Sequence, residues 1–592
     1  MRLLFHTRPS EALSELERLA EFFGISVERI DVAMIGSLEL AIREAISTSE
    51  RGIVLDVASL ENKSDEEELQ ALAASFARHD IAVLLLVSHF AEASAKIVRL
   101  LTSSAISELG AARQVSKVTF SADSTGLSGE LSSYSYPRNE GKAAHLILSS
   151  GGGSQVVMML DGSPTFVCVS IGKARMFVWI TDAVFDVFRP LAAEIEFEQA
   201  ADQYIPAIIF LRFAFGEKCW HNPSPGAGIV IDDPLLRENY GFIKFPQLLE
   251  SARRHKYHIT LAFIPWNHWR SRAKEAQMFL KYSDCFSVCA HGCDHTNNEF
   301  RSDDYEALLR KNFVARQRMA RHRERTGLAS EPLMVCPQEQ YSLEAMRAFA
   351  DSRQFVGLIC TACMPRNLAS PEICGADLLL PAQDSFFGFT VFKRHYWNGM
   401  GVFAMALFLG KPAILIEHHE FFRNGSAGAE EFARRLAELR PDLKWKSLAE
   451  TVTRTHARRR VSEGRWEARF FTDMFRLEHG LEEPAEYRLL RRIPEATVVE
   501  RVLVGGKEVP FSRENGFLMF ETHAHRPQTL SVQLEIAPVK PTKAYSSGVR
   551  FQASVALRRG LSELRDNIIA RNRLALRASR LVIKALKPTG GK

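Results

Sequence analysis

The stretch FSVCAHGCDHTNNEF, Phe286 to Phe300, decides how this chain folds. It opens on the apolar run Phe286-Ser287-Val288-Cys289-Ala290, which reads as a buried strand. His291 and His295 follow at the strand's end, four residues apart. Gly292 between them permits a sharp backbone turn. Imidazoles at this spacing suit a metal ion, although such a pair also occurs as an ordinary surface or hydrogen-bonded pair. The fold question is whether the flanking sequence repeats the same strand-then-chemistry pattern.

It does. Apolar strands are expected at Gly228–Ile231, His258–Ile264, Phe286–Ala290, Leu333–Cys336, Phe355–Cys360, Asp377–Leu380 and Ala413–Glu417. Helical periodicity fills Phe245–His255, Ser271–Tyr282, Asp303–Arg325, Leu343–Asp351 and Gly401–Leu409. This repetition over a domain spanning 201–455 predicts an α/β fold, a seven-stranded (β/α) barrel one strand short of the usual eight. Polar groups fall at the C-terminal ends of separate strands: Asp232-Asp233, His291, Pro337-Gln338 and His418-His419. That face carries the active site in parallel barrels. Taken alone, an Asp-Asp pair at a strand end is a helix cap or a solvated turn; the joint placement is what points to chemistry.

The remaining sequence sets the frame. A chain of 592 residues is too long for one hydrophobic core. A net charge of +5 is small for this length and gives no sign of a nucleic-acid partner. The nine cysteines lie in apolar runs, which argues against a disulfide framework. Cys360 and Cys363 have zinc-ribbon spacing, but no second pair follows. The start MRLLFHTRPSEALSEL lacks a signal pattern, and no apolar run reaches spanning length, so a cytoplasmic protein peripheral to the inner membrane is expected.

Residues 1–200 read as an N-terminal α/β module with a β-rich second half. Strands at Arg2–Phe5, Val32–Ile35, Gly52–Asp56 and Ile81–Val87 alternate with helices at Glu11–Phe23, Leu38–Ser47, Glu66–Arg78 and Ala91–Leu101, a flavodoxin-like arrangement. No glycine-rich phosphate loop follows the first strand. Further strands are expected at Ala144–Leu148, Gln155–Leu160, Thr165–Ser170 and Ala174–Ile180, and a helix at Phe197–Trp220 leads into the barrel. After the barrel come a helical connector (456–494), a small antiparallel β-domain (495–540) and a basic amphipathic helix (550–592). The last carries an apolar stripe, Leu557, Leu561, Leu564, Ile568 and Ile569, among many arginines, which suits an anionic membrane surface or an acidic partner.

Four segments carry a family resemblance. IVIDDPLL from Ile229, CAHGCDHT from Cys289, MVCPQEQYS from Met334 and AILIEHH from Ala413 resemble, in order, the motifs of the polysaccharide deacetylases of carbohydrate esterase family 4 type. The match departs at Pro234, where the family has a small glycine, and in the third motif, which lacks its usual arginine and aromatic. The resemblance implies that Asp233, His291 and His295 hold a divalent metal ion, zinc above all, with Asp232 as general base. His418, or its neighbour His419, donates a proton to the leaving amine. Pro337 and Gln338 belong to the substrate-facing motif, and a backbone N–H near Gln338 helps to stabilise the oxyanion. Tyr240, Trp266, Arg394 and Trp397 lie near strand ends and are candidates to contact substrate; Asp294 is placed to orient an imidazole. The implied activity is metal-dependent removal of N-acetyl groups from amino sugars of a glycan, in the building of surface polysaccharide. Two rivals stand beside it. One is a glycoside hydrolase using Asp232 with Glu417 or Glu339. The other is a glycan-binding scaffold without turnover.

Overall fold

The computed structural model of the chain describes residues 1–5, 9–31, 52–60, 65–150, 153–366, 373–545 and 547–571. It divides into two compact units. One comprises Met1–His221, Ser370–Leu380 and Ala457–Glu467; the other comprises Asn222–Ala369, Pro381–His456 and Ala468–Lys592.

The first unit is built on a nine-stranded mixed sheet. Strands β1 (Arg2–Phe5), β2 (Glu28–Asp31), β3 (Gly52–Asp56) and β4 (Ala82–Val87) are parallel in the order β2-β1-β3-β4. They alternate with α1 (Glu11–Phe22), α2 (Glu66–Ala77) and α3 (Glu92–Leu101). The expected strand Val32–Ile35 and helix Leu38–Ser47 lie outside the described residues. Beyond β4 the sheet turns antiparallel through β5 (Ile106–Phe120), β6 (Ser135–Leu148), β7 (Ser154–Leu160), β8 (Ser163–Ile171) and β9 (Ala174–Ile180). The last of these takes the fifth place, parallel beside β4, and completes the flavodoxin order. The 15-residue β5 was not expected. Three register shifts against β6 break its period of two, so no clean alternation is left for the sequence to display. Helix α4 (Ala201–Phe215), expected to open the barrel domain, groups with this unit.

The second unit holds the barrel. Its strands are β10 (Gly226–Asp232), β11 (Ile259–Phe263), β12 (Phe286–His291), β13 (Glu331–Val335), β14 (Gly357–Cys360), β15 (Val391–Lys393) and β16 (Ala413–Glu417). They form a parallel path in the order β15-β14-β13-β12-β11-β10-β16. His395, just past β15, closes it: its N–H donates to Ile414 O at 2.9 Å and its carbonyl accepts from Ile416 N at 2.9 Å. Every residue of β11 is buried, as is β10 beyond its first glycine, which is why these strands read as continuous apolar runs. Helices α5 (Phe245–His255), α6 (Ala273–Lys281), α7 (Tyr305–Thr326), α8 (Leu343–Ser352) and α9 (Gly401–Phe408) fill the crossovers. The strand expected at Asp377–Leu380 is instead part of a short helix, Gly375–Leu379. The true sixth strand in sequence, β15, has three residues, too few to show a period.

The connector expected to be helical over 456–494 consists of strands: His456–Ser462, Arg465–Phe470, Met474–His479 and Ala485–Arg492. Its arginines alternate with buried residues. Trp466, Ala468 and Phe470 point inward from one strand, and Phe475, Leu477 and His479 from the next. That is a period of two, not 3.6. Met474–His479 joins Gln528–Glu535, Arg501–Val504 and Lys507–Glu508 in one sheet. In the other, Ala485–Arg492 pairs with Phe517–Ala524, which in turn pairs with Ser512–Glu514. The antiparallel β-domain therefore starts well before residue 495. Helix α10 (Val549–Leu564) follows and ends in a π-helical turn, Arg565–Ile569. Among the described residues no helix is long and apolar enough to cross a membrane.

One buried histidine gives the barrel a pH dependence. His322 on α7 is fully buried, with Nε2 2.9 Å from Ser271 Oγ. Burial, helped by Arg325 and His268, pulls its pKa to about 4. The unfolded chain takes up this proton near pH 6.5, whereas the fold resists it down to about 4. Its contribution is therefore intact above pH 6.5 and is lost as pH falls toward 4. In melting curves over that range, His322→Gln is expected to show a shallower acid decline than the parent.

Candidate active site

The polar strand ends converge at the C-terminal mouth of the barrel, and backbone strain marks the place. Asp233, His295, Gln338 and Glu339 all have positive φ, at 80°, 54°, 59° and 54°. Non-glycine residues adopt that conformation rarely, and such residues cluster where a site must be held in shape.

Asp232 ends β10, and Asp233 has left the strand. On extended backbone the two side chains would point to opposite faces. The turn at Asp233 brings both to one point: His291 Nε2 lies 3.7 Å from Asp232 Oδ2 and 3.7 Å from Asp233 Oδ1.

The histidine loop is braced from inside. Gly292 has φ 66°, and a Cβ there would sit 2.4 Å from Glu299 Oε2 and 3.1 Å from Pro337 Cγ. Without one, the Glu299 carboxylate reaches beneath the loop and accepts N–H groups from Cys293 (3.1 Å), Asp294 (2.8 Å) and His295 (3.0 Å). The His291 ring is aimed by Val335, whose carbonyl lies 3.1 Å from Nδ1 and accepts its proton, so Nε2 keeps its lone pair for the site. Asp294 was expected to orient an imidazole. Its carboxylate instead accepts from Arg318 Nη1 at 2.7 Å and from Tyr545 Oη at 3.1 Å.

Three donor atoms now face one another. His295 Nε2 lies 3.1 Å from His291 Nε2 and 3.3 Å from Asp233 Oδ1. A tetrahedral ion with bonds of about 2.1 Å sets its ligands about 3.4 Å apart, so this triangle matches a divalent ion's coordination face. Asp233 Oδ1 is buried without a hydrogen-bond donor, an orphan that an ion would satisfy. Burial raises the Asp233 pKa, but the imidazoles of His295, His291 and His418 outweigh it and hold the carboxyl below its usual range. Burial, reinforced by His295, keeps His291 well below its ordinary value and hence neutral. Donor types, spacing and ionisation all fit a divalent metal. A second cluster, Cys293, Asp294 and Glu299, has metal-like spacing, but its carboxylates are already committed to the loop, Arg318 and Tyr545.

Asp232 is fixed by an arginine from another strand end. Arg394, fully buried just after β15, donates from Nη1 and Nη2 to the two oxygens of Asp232 at 2.8 Å each. Its Nη2 also donates to Glu339, whose other oxygen accepts from Thr361 N at 2.6 Å. Arg394 was expected to meet substrate; the structure gives it to Asp232.

His419 is tied down, with Nε2 3.3 Å from Asp566 Oδ1 and its ring stacked on Phe242 at 5.8 Å. His418 is half-buried, stacks parallel to Tyr396 at 6.2 Å, and is the one of the pair whose charge acts on Asp233. Pro337 packs by Gly292. Gln338 clasps the histidine loop: its Oε1 accepts from Asn298 N at 2.9 Å. Trp266 lies under the Arg318 guanidinium at 5.1 Å. Trp397 packs on Phe421 and Phe432. Tyr240 Oη donates to Asp566 at 2.9 Å. Each of these five expected substrate-facing residues has a partner within the fold.

The partner of Tyr240 and His419 is helix α10, which the sequence did not place at the site. It crosses the barrel mouth. Arg559 reaches His295, with Nη2 3.3 Å from Nδ1, and Arg270 grips Glu563, one bond measuring 2.8 Å. Asn567 Oδ1 accepts from Gly241 N at 2.9 Å. The only sequence signal was the spacing of polar residues between its leucines.

No family model matches the chain, and no curated protein sequence does. Among solved structures it is similar to Agd3, a carbohydrate deacetylase, with a TM-score of 0.42 and 10% identity, covering 90% of this chain and 99% of that one. It is also similar to a family 4 carbohydrate esterase from Streptomyces lividans in complex with acetate (TM-score 0.24, 14% identity, 38% of this chain and 93% of that one). A third is the exo-β-1,4-mannosidase Op5Man5 from an Opitutaceae bacterium (TM-score 0.21, 11% identity, 36% and 34%).

Proposed function

We propose that this protein is a metal-dependent hydrolase that removes N-acetyl groups from amino sugars of a glycan. The observation that carries this reading is the convergence of the orphaned Asp233 Oδ1 with His291 Nε2 and His295 Nε2. A divalent ion there, zinc being favoured by one carboxylate and two imidazoles, supplies Lewis acidity toward an amide carbonyl and makes water acidic near neutral pH. The chain's own groups do the rest. Asp232, oriented by Arg394, is the base that takes a proton from the attacking water. Arg394 pairs with Asp232 and Glu339 at once and keeps the base from turning away. His418, half-buried and stacked on Tyr396, gives a proton to the departing amine. His419 is excluded from that role by Asp566. His418→Ala is expected to lower kcat about 100-fold or more while bound metal stays unchanged, as read by turnover and metal analysis.

The glycosidase alternative needs two carboxyl groups set on either side of a bond. Asp232 and Glu339 share one arginine, and Glu417 accepts the Trp397 N–H at 3.2 Å, which weighs against it. The test is acetate release from an N-acetylated amino-sugar oligosaccharide. It is expected to stop on chelation and return with zinc; release unaffected by chelation would refute metal dependence.

The outer face of α10 supports attachment to an anionic membrane surface. Leu557, Leu561, Leu564 and Ile568 recur at helical spacing and are exposed at 65%, 56%, 45% and 61%. Arg565, with an exposed side chain, stands among them. Such a face buries itself at a lipid interface with cations toward the headgroups. Inserting one leucine is worth about 1.5–3 kcal/mol. Leu561→Glu is therefore expected to weaken sedimentation with phosphatidylglycerol vesicles about tenfold or more. Equal binding by parent and variant would refute the attachment.

A further inference from the structure

Helix α10 places two cations beside the metal-type group that the proposed chemistry leaves unused. Arg559 is 6% exposed. Its Nη2 lies 3.3 Å from His295 Nδ1 and donates to His295 O at 3.4 Å, and its Nε is buried without a partner. Arg558 precedes it, half-buried, within reach of the charges of Arg559, Glu299 and Asp233. Neither forms an ion pair among the described residues. The acidic residues of the same segment are spent elsewhere: Glu563 on Arg270, and Asp566 on His419, Tyr240 and Arg565. Glu299 is spent on three backbone N–H groups.

A guanidinium withdrawn from water without a counter-charge is costly. A divalent ion on Asp233, His291 and His295 adds positive charge to the same corner. The missing partner is therefore an anion. We propose that Arg558 and Arg559 form a binding wall for a negatively charged group of the substrate. The substrate class is then an acidic glycan, with a carboxylate or phosphate on the sugar adjoining the N-acylated one. Guanidinium forks pair with both groups through two parallel hydrogen bonds, which fixes the chain's direction as well as its charge. This inference rests on the deacetylase reading for the position of the acylated sugar, but not for the anion site itself.

The test uses the full-length, zinc-loaded chain with two probes of equal length, a chitin tetrasaccharide (neutral) and a hyaluronan tetrasaccharide (a uronate at alternate sugars). Calorimetry is expected to show the acidic probe binding about tenfold or more tightly, as two charge-assisted contacts warrant. In the double variant Arg558→Gln/Arg559→Gln that ratio is expected to fall to about one. Inorganic phosphate is expected to compete in the parent and not in the variant. Equal binding of the two probes by the parent, or a ratio unchanged in the variant, overturns the proposal. Should the double variant not fold, Arg558→Gln at its half-buried position carries the same comparison. Acetate release, measured in parallel, separates the two claims. Arginine-dependent binding of the acidic probe with no acetate from either sinks the deacetylase reading alone. Acetate released equally from both probes, with equal binding, sinks the anion wall alone.

Discussion

Asp233→Ala is expected to lose bound metal and turnover together. In the proposed site three atoms make the coordination face, and Asp233 Oδ1 is the one that brings negative charge and has no donor of its own. Loss of a hydrogen-bonded supporter of a ligand costs metal affinity about 10–100-fold, and loss of the ligand itself costs more. Metal analysis after dialysis is expected to find the parent loaded and the variant empty, with acetate release at background. His291→Ala is expected to match it. By contrast, Asp232→Asn is expected to keep the metal and lose kcat by about 100-fold or more, because it removes a base rather than a ligand. A variant at Asp233 that retained metal at parent levels would contradict the site.

The second large effect is on stability. Arg394 is fully buried between Asp232 and Glu339, and Asp232 is buried with it. Arg394→Leu leaves two carboxylates facing each other without their cation, which costs about 3–5 kcal/mol. For a unit of this size the melting temperature is expected to drop by roughly 4–7 °C. Arg394→Lys keeps the charge but not the two-pronged geometry, so it is expected to recover much of the stability and little of the turnover. Adding Asp232→Asn to Arg394→Leu is expected to return part of the lost stability. Additive losses in that double variant would show that the pair does not act as a unit.

Much of this architecture is legible in the residues, and the failures have physical causes. Barrel strands β10 to β13 announce themselves because both faces are buried over most of their length, so they read as largely apolar runs. Strand β15 is three residues long and hides, and Arg394 beyond it was read as a substrate contact rather than the anchor of Asp232. The strands of 456–494 were mistaken for helix because exposed arginines mask a two-residue alternation whose buried members are only half of each strand. At the site, His291 and His295 were recognisable from spacing and a glycine. The joint reach of Asp232 and Asp233 was not, because it depends on one positive φ. Helix α10 defied the usual rule most plainly. Its leucine stripe faces outward, and Arg559 faces the barrel. Amphipathic periodicity identifies two faces but does not say which one a neighbour covers.

The most direct measurement is the mass of the product formed from an N-acetylated amino-sugar oligosaccharide by the zinc-loaded protein. Loss of one acetyl group per turnover at unchanged chain length is expected, with free acetate in equal amount and no reaction by Asp233→Ala. Shortened oligosaccharides, or an unaltered mass in the presence of stoichiometric metal, would contradict it.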